Sequence, residues 1–146
     1  MLEIDTPGHT ATIAETHPGL IACFEKSPWW TYSNQPPAGQ LRFASEAATD
    51  FTKGLFESVL DSVESQYFGT GGDEINEKCM VSRLFMSKLS LQLEDEETAA
   101  VLGEKGWTLD DALNEFTAKT HQPILDRSKI PLVWQEMVRI ICRLHF

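Results

Sequence analysis

Gly69-Thr70-Gly71-Gly72-Asp73-Glu74-Ile75-Asn76 follows directly on the aromatic, strand-like pair Tyr67-Phe68 and sets two adjacent carboxylates just beyond two glycines. Neighbouring side chains of a regular strand point to opposite faces, so Asp73 and Glu74 share a pocket only where the backbone turns sharply. Gly71 and Gly72 permit that turn, because glycine reaches dihedrals closed to other residues. The stretch therefore reads as a strand end delivering paired carboxylates, a place for acid catalysis. A second reading stays open, with Asp73 as the N-cap of a helix starting near Ile75 and Glu74 in its first turn. A phosphate-binding loop does not fit: no Lys-Ser/Thr follows the glycines, and two carboxylates would repel a phosphate.

Two other segments share the design. Glu3-Ile4-Asp5-Thr6-Pro7-Gly8-His9-Thr10 alternates apolar and polar residues into a Pro-Gly turn, with Asp5 and His9 on either side of it. Ile130-Pro131-Leu132-Val133-Trp134-Gln135-Glu136 is a short apolar run that finishes in a large aromatic and a carboxylate. Each is a strand with its polar residues at the carboxyl end. Between them, Phe51, Leu55, Phe56, Val59, Leu60 and Val63 recur at helical spacing and predict an amphipathic helix. Thr108, three residues before Asp111 and followed by Leu109, Ala112, Leu113 and Phe116, predicts a second, capped one. Strands alternating with helices predict an α/β chain with a parallel sheet, and in a (β/α)-barrel catalytic groups sit at the carboxyl ends of the strands.

Taken together, Asp5-Thr6-Pro7-Gly8-His9, Gly71-Gly72-Asp73-Glu74 and Val133-Trp134-Gln135-Glu136, in this order and at about these spacings, closely resemble the β-N-acetylhexosaminidases of glycoside hydrolase family 20. Gly39-Gln40-Leu41-Arg42-Phe43 and Asp73-Glu74-Ile75-Asn76 look like the versions of fungal members. The resemblance runs from about Leu2 to Met137. It implies a partial (β/α)8 TIM barrel, roughly the third to fifth βα units of eight, over residues 1–137, with residues 138–146 a divergent tail.

The implied activity is removal of terminal N-acetylglucosamine or N-acetylgalactosamine from chitooligosaccharides or glycans, with the substrate's own acetamido oxygen as nucleophile. Under the resemblance Glu74 is the general acid and base, and Asp73 orients the acetamido group and stabilises positive charge on the ring. The ionised Asp73 would keep Glu74 protonated by like-charge repulsion. His9 matches the histidine that links the catalytic Glu to a carboxylate on an earlier strand; taken alone, His9 reads as an ordinary histidine in a turn. Asp5, Trp134 and Glu136 fall where the family holds the sugar, Trp134 matching a wall of its pocket, although a strand-end tryptophan also reads as core. Trp29, Trp30 and Tyr32, in the Pro/Ser/Gly-rich stretch 27–39, read as loop packing first and a sugar-contacting rim second. Cys23 and Cys79 fall where relatives from oxidising compartments carry a disulfide.

Length sets the main tension. A (β/α)-barrel takes about 250 residues, and this chain has 146. By the resemblance, the first two strands with a sugar-binding Arg, the last three with further sugar contacts, and an accessory domain fall outside it. The expectation is that the chain alone is poorly active, an inactive remnant, or a module that binds a sugar or completes another chain's barrel. Residues 138–146, Val138-Arg139-Ile140-Ile141-Cys142-Arg143-Leu144-His145-Phe146, depart from the family pattern and suggest a frame change, retained intron or truncated gene model. Met1 leads directly into the strand pattern, so no signal peptide is read; relatives of this family are typically secreted, vacuolar or lysosomal.

Composition supplies bounds. With 12 basic and 22 acidic residues the formal charge is −10, which disfavours nucleic acid and anionic membranes as partners. No run is long and apolar enough to span a membrane. Three cysteines without paired Cys/His spacings predict no zinc site, and no cofactor is expected. Glu94-Asp95-Glu96-Glu97 reads as a solvated loop or helix start rather than a calcium site.

Overall fold

A computed structural model describes residues 1–80 and 95–137. The readings made for Glu94, for Cys142 and for the rest of 138–146 lie outside the described residues. Five short strands and five α-helices follow in the order β1 (Leu2–Glu3), β2 (Ile21–Ala22), α1 (Trp29–Tyr32), β3 (Gln40–Leu41), α2 (Glu46–Leu60), β4 (Tyr67–Gly71), α3 (Glu77–Met80), α4 (Glu96–Lys105), α5 (Leu109–Asp126) and β5 (Ile130–Val133).

The three segments read as strands form one parallel sheet in the order β1-β4-β5. Leu2 pairs with Phe68 and Glu3 with Gly69, and the ladder continues past β1, where Ile4 N–H donates to Gly69 O and Thr6 N–H to Thr70 O, both at 3.0 Å. A register shift between Gly69 and Gly71 interrupts the pairing of β4 with β5. It falls where the strand must leave the sheet to expose the carboxylates. Parallel neighbours need crossovers, and α2 and α5 supply them.

Both helices pack on one face of the sheet. Phe56, Leu60, Phe68 and Ile124 are fully buried together, with the Phe56 and Phe68 rings edge to face at 5.3 Å. The buried stripe of α2 is Ala48, Thr49, Thr52, Phe56 and Leu60, so the helix begins earlier than its large apolar residues suggest, and Val63 lies beyond its end. Small residues at 48, 49 and 52 carry the stripe without announcing it. The start of α5 is a capping box: the Thr108 side chain accepts from Asp111 N–H, and the Asp111 carboxylate accepts from Thr108 N–H.

The opposite face of the sheet is open. Tyr67, Ile130 and Leu132 are exposed, as is Trp134 just past β5. The continuous apolar run Ile130-Pro131-Leu132-Val133 is that of a parallel strand made for burial on both faces.

Between β1 and α2 the chain makes a long excursion. It is organised by an antiparallel pair, β2 with β3, in which Ile21 faces Leu41 and Ala22 faces Gln40. Buried around it are Phe43, Ala48, Cys79, Met80, Leu113 and Phe116, which join the excursion to the region after β4 and to α5. Asp95 departs from the solvated reading of its acidic run: it is 6% exposed, caps α4 by accepting from Thr98 N–H, and meets Arg42 Nε at 3.0 Å. Burying one carboxylate there is compensated by a guanidinium and two donors from Thr98.

Candidate active site

Asp5, His9, Asp73 and Glu74 converge at the carboxyl ends of β1 and β4. His9 Nε2 lies 3.4 Å from Glu74 Oε2, 3.9 Å from Asp5 Oδ2 and 4.0 Å from Asp73 Oδ1. The imidazole thus sits among three carboxylates drawn from two strands.

Backbone geometry explains how adjacent carboxylates reach one pocket. Gly71 (φ 69°) and Gly72 (φ 99°) both occupy the left-handed half of dihedral space, and Glu74 (φ 54°) and His9 (φ 52°) follow them there although neither is glycine. A non-glycine residue with positive φ is strained, and such strain persists where the surroundings hold it in place. The surroundings here are tight. A Cβ on Gly71 would fall 1.7 Å from Asp5 Oδ1, and one on Gly8 would fall 2.7 Å from the carbonyl oxygen of Asp73. Asp5 Oδ1 accepts from Gly72 N–H at 2.9 Å, tying the Pro-Gly turn to the glycine turn.

That position alters Asp5. Burial, followed by the neighbouring Asp73 charge, pushes its carboxyl up to about 6, against the opposing pull of the Gly72 hydrogen bond and of His9.

The competing N-cap reading of Asp73 fails on geometry. Helix α3 starts at Glu77, and the residue before it does the capping, Asn76 Oδ1 accepting from Cys79 N–H at 3.1 Å. Asp73 and Glu74 stand in irregular backbone before the helix, with Asp73 Oδ1 and Glu74 Oε2 buried and without a hydrogen-bond partner among the described residues. Buried polar atoms are nearly always paired. Two unpaired carboxylate oxygens, both within 4.0 Å of His9 Nε2, mark a place prepared for a partner.

Glu136 joins this site from the 3-10 turn that follows β5. It lines, with Glu74, Gly72 and Asn34, a cavity of about 450 Å³ that Glu77 and Asp110 also border and whose apolar residues include Phe43 and Leu113. Trp134 is fastened by its backbone N–H to Gly71 O at 3.0 Å and is 51% exposed, so its side chain is not core among the described residues. Trp30, at 67% exposure, stands edge to face with Trp29 at 5.9 Å between ring centroids, and Tyr32 is half-buried under Lys26. Asp5, His9 and Asp73 bring one donor atom each within 4.8 Å of one another, a spacing that follows from both carboxylates facing the same imidazole.

Several residues that build the site carried no signal in the sequence. Gln35 Nε2 donates to Glu74 Oε1 at 3.1 Å. Gln40 donates to Asn76 O and accepts from Asn76 N–H, at 3.1 and 3.0 Å, clamping β3 to the segment after Glu74. Cys23 and Cys79, which unlike these residues the family resemblance singles out, are disulfide-bonded with their Cα atoms 5.9 Å apart, a second tie across the same junction. These partners are separated by 36 to 56 residues, so no local pattern links them.

Comparison with known proteins bears on the arrangement. The model of the glycosyl hydrolase family 20 catalytic domain matches residues 1–143. A β-hexosaminidase of Arthroderma benhamiae is 30% identical over 139 residues, covering 94% of this chain and 20% of its own length. A chitooligosaccharidolytic β-N-acetylglucosaminidase of Bombyx mori is 29% identical over 109 residues, covering 74% and 16%. Among solved structures, Flavobacterium johnsoniae chitobiase superposes with a TM-score of 0.66 at 18% identity, over 94% of this chain and 19% of that one. A family 20 β-N-acetylglucosaminidase does so at 0.57 and 22% identity, over 92% and 24%. The chain spans about a fifth of the length of the curated relatives it matches. The structural likeness shows the fold: the three parallel strands and their helices are part of a (β/α)8 barrel.

Proposed function

The chain belongs to glycoside hydrolase family 20, and on that premise we propose that it carries the acid–base part of a β-N-acetylhexosaminidase site, with Glu74 as general acid and base and Asp73 as the group that orients the substrate's acetamido arm. In this reading the acetamido carbonyl oxygen attacks the anomeric carbon while the glycosidic C–O bond breaks and the Glu74 proton passes to the leaving oxygen. Glu74, now a carboxylate, then takes a proton from the water that opens the cyclic intermediate. Asp73 accepts from the acetamido N–H, which aims the carbonyl and balances the charge developing on the ring. His9, 3.4 Å from Glu74 Oε2, is placed to steady the carboxyl in both protonation states. Trp134 offers an exposed indole face to the apolar side of a pyranose; Glu136 lines the cavity beside Glu74, and Asp5 lies 3.9 Å from His9.

The observation that carries the proposal is the pair of buried, unpartnered oxygens on Asp73 and Glu74 beside a histidine. Chitooligosaccharides or glycans ending in N-acetylglucosamine or N-acetylgalactosamine are the proposed substrates. The Cys23–Cys79 bond suits an oxidising compartment. Among the described residues no helix is long and apolar enough to cross a membrane. Hydrolysis of a chromogenic N-acetylglucosaminide by the chain, beside its Glu74→Gln variant, tests the assignment. The expected loss in the variant is about 10²–10⁴-fold, and an unchanged rate would overturn the role of Glu74.

One observation favours a second reading. The open face formed by Tyr67, Ile130, Leu132 and Trp134 is the side on which a complete barrel is filled. A chain that folds and binds N-acetylglucosamine without turning it over would be a sugar- or partner-binding module, and an insoluble one an inactive remnant.

A further inference from the structure

Resting on Glu74 as the acid and base, we propose that Gln35 is a positioning residue: its side-chain amide holds Oε1 as the accepting oxygen of the Glu74 carboxyl, so that Oε2 is the oxygen that carries the transferable proton.

The two oxygens of Glu74 have different surroundings. Oε1 accepts from Gln35 Nε2 at 3.1 Å. Oε2 is buried, makes no hydrogen bond among the described residues, and lies 3.4 Å from His9 Nε2. A carboxylic acid has one hydroxyl oxygen and one carbonyl oxygen, and the carbonyl oxygen is the stronger acceptor for an amide N–H. Donation from Gln35 Nε2 therefore favours Oε1 as the carbonyl oxygen. It also does so at every pH, since an amide does not titrate, whereas the His9 ring changes its donors when it gains a proton.

An exposed glutamine would ordinarily be free to leave, but this one is held. Its own N–H donates to Ser33 Oγ at 3.3 Å, and the side chain of the preceding residue, Asn34, accepts from Asn76 Nδ2 at 3.4 Å. Asn76 is two residues past Glu74, and Gln40 grips its backbone from both sides. Pro36 and Pro37 stiffen the short path from Gln35 to Gln40. The amide and the carboxyl thus ride on segments tied together within a few residues of each.

Two consequences separate positioning from simple packing. Donation to the ionised carboxylate favours that form, so loss of the donor should extend activity to higher pH. Without the donor either oxygen can take the proton, so kcat should fall while KM changes little. In Gln35→Met, of similar length and without a donor, the alkaline limb of kcat/KM is expected to move up by roughly half to one pH unit, the size of one charge-assisted hydrogen bond at an exposed position. Gln35→Glu, which replaces the donor with a like charge, is expected to move it further. A fall in rate at all pH values with no movement of the limb would leave Gln35 a structural residue and overturn the proposal.

A second readout needs no turnover. In ¹⁵N NMR of the full chain the side-chain amide signals of Gln35, assigned by their loss in Gln35→Met, are expected to shift with pH through one transition. That transition should survive in His9→Gln and vanish in Glu74→Gln. Signals that ignore pH, or that titrate identically in Glu74→Gln, would refute the contact. Absence of hydrolysis together with the expected titration would count against the proposed activity and leave the pairing of amide and carboxyl standing.

Discussion

Half-buried beside Asp73, the Asp5 carboxyl binds its proton at about pH 6 in the fold against an ordinary 3.8. Between those values the folded chain holds more of this proton than the unfolded one, so the group lowers stability as pH rises from about 4 to about 6. The full cost, on the order of 2 kcal/mol after allowing for solvent screening, is present above pH 6. Asp5→Asn keeps an oxygen for Gly72 N–H and removes the charge. Its melting temperature is expected to exceed that of the wild type at pH 7.5 and to match it near pH 3.5, which thermal melts at both values would check. Gly71 supplies the complementary case. Gly71→Ala at φ 69° with Asp5 Oδ1 in the way should cost more than about 2 kcal/mol and open the pocket; denaturant unfolding that matches wild type would contradict that geometry. At this scale the glycines and the two carboxylates are legible because their chemistry is local. Gln35, Gln40 and Asn76 are not, because their meaning lies in partners 36 to 39 residues away.

Helix α5 was readable from Thr108 and Asp111, since a capping box is completed within four residues. What α5 presents to the sheet was not. His121 is largely buried and lies 3.0 Å from Thr70 Oγ1 on β4, and burial lowers its pKa from 6.5 to about 4. The unfolded chain binds that proton first, so this group's contribution is full above about pH 6.5 and is lost as pH falls toward 4, up to about 3 kcal/mol. In His121→Gln the drop in unfolding free energy between pH 7 and pH 4 should shrink by up to that amount, as urea titrations at the two values would record. The sign is opposite to that of Asp5, so only variants separate the two. The Cys23–Cys79 bond closes a separation of 56 residues, and its reduction should cost roughly 4 kcal/mol on the chain-entropy account; melts with and without reductant measure it. Strands β2 and β3 escaped the sequence reading because two residues are too few for any period to show.

For the molecule as a whole, the sheet is covered by helices on one side and open on the other. Tyr67, Ile130, Leu132 and Trp134 form an exposed apolar face, and β1 and β5 are both edges. Such surfaces promote association. The chain is expected to self-associate at micromolar concentration, and Ile130→Lys with Leu132→Glu to shift it toward monomer in sedimentation velocity; equal sedimentation of both proteins would show the face to be inert. By itself the sequence determined the order of the three parallel strands and of the helices α2 and α5 between them, the α/β class, and the identity of the paired carboxylates, since each rests on periodicity, a turn or a short motif. Only the tertiary structure decided that Asp5 and His9 meet Asp73 and Glu74, that Asn76 rather than Asp73 caps the following helix, and that Gln35 reaches one oxygen of Glu74. Those outcomes depend on which distant segments become neighbours when parallel strands pair, and pairing is settled by the burial of both ends of a contact at once.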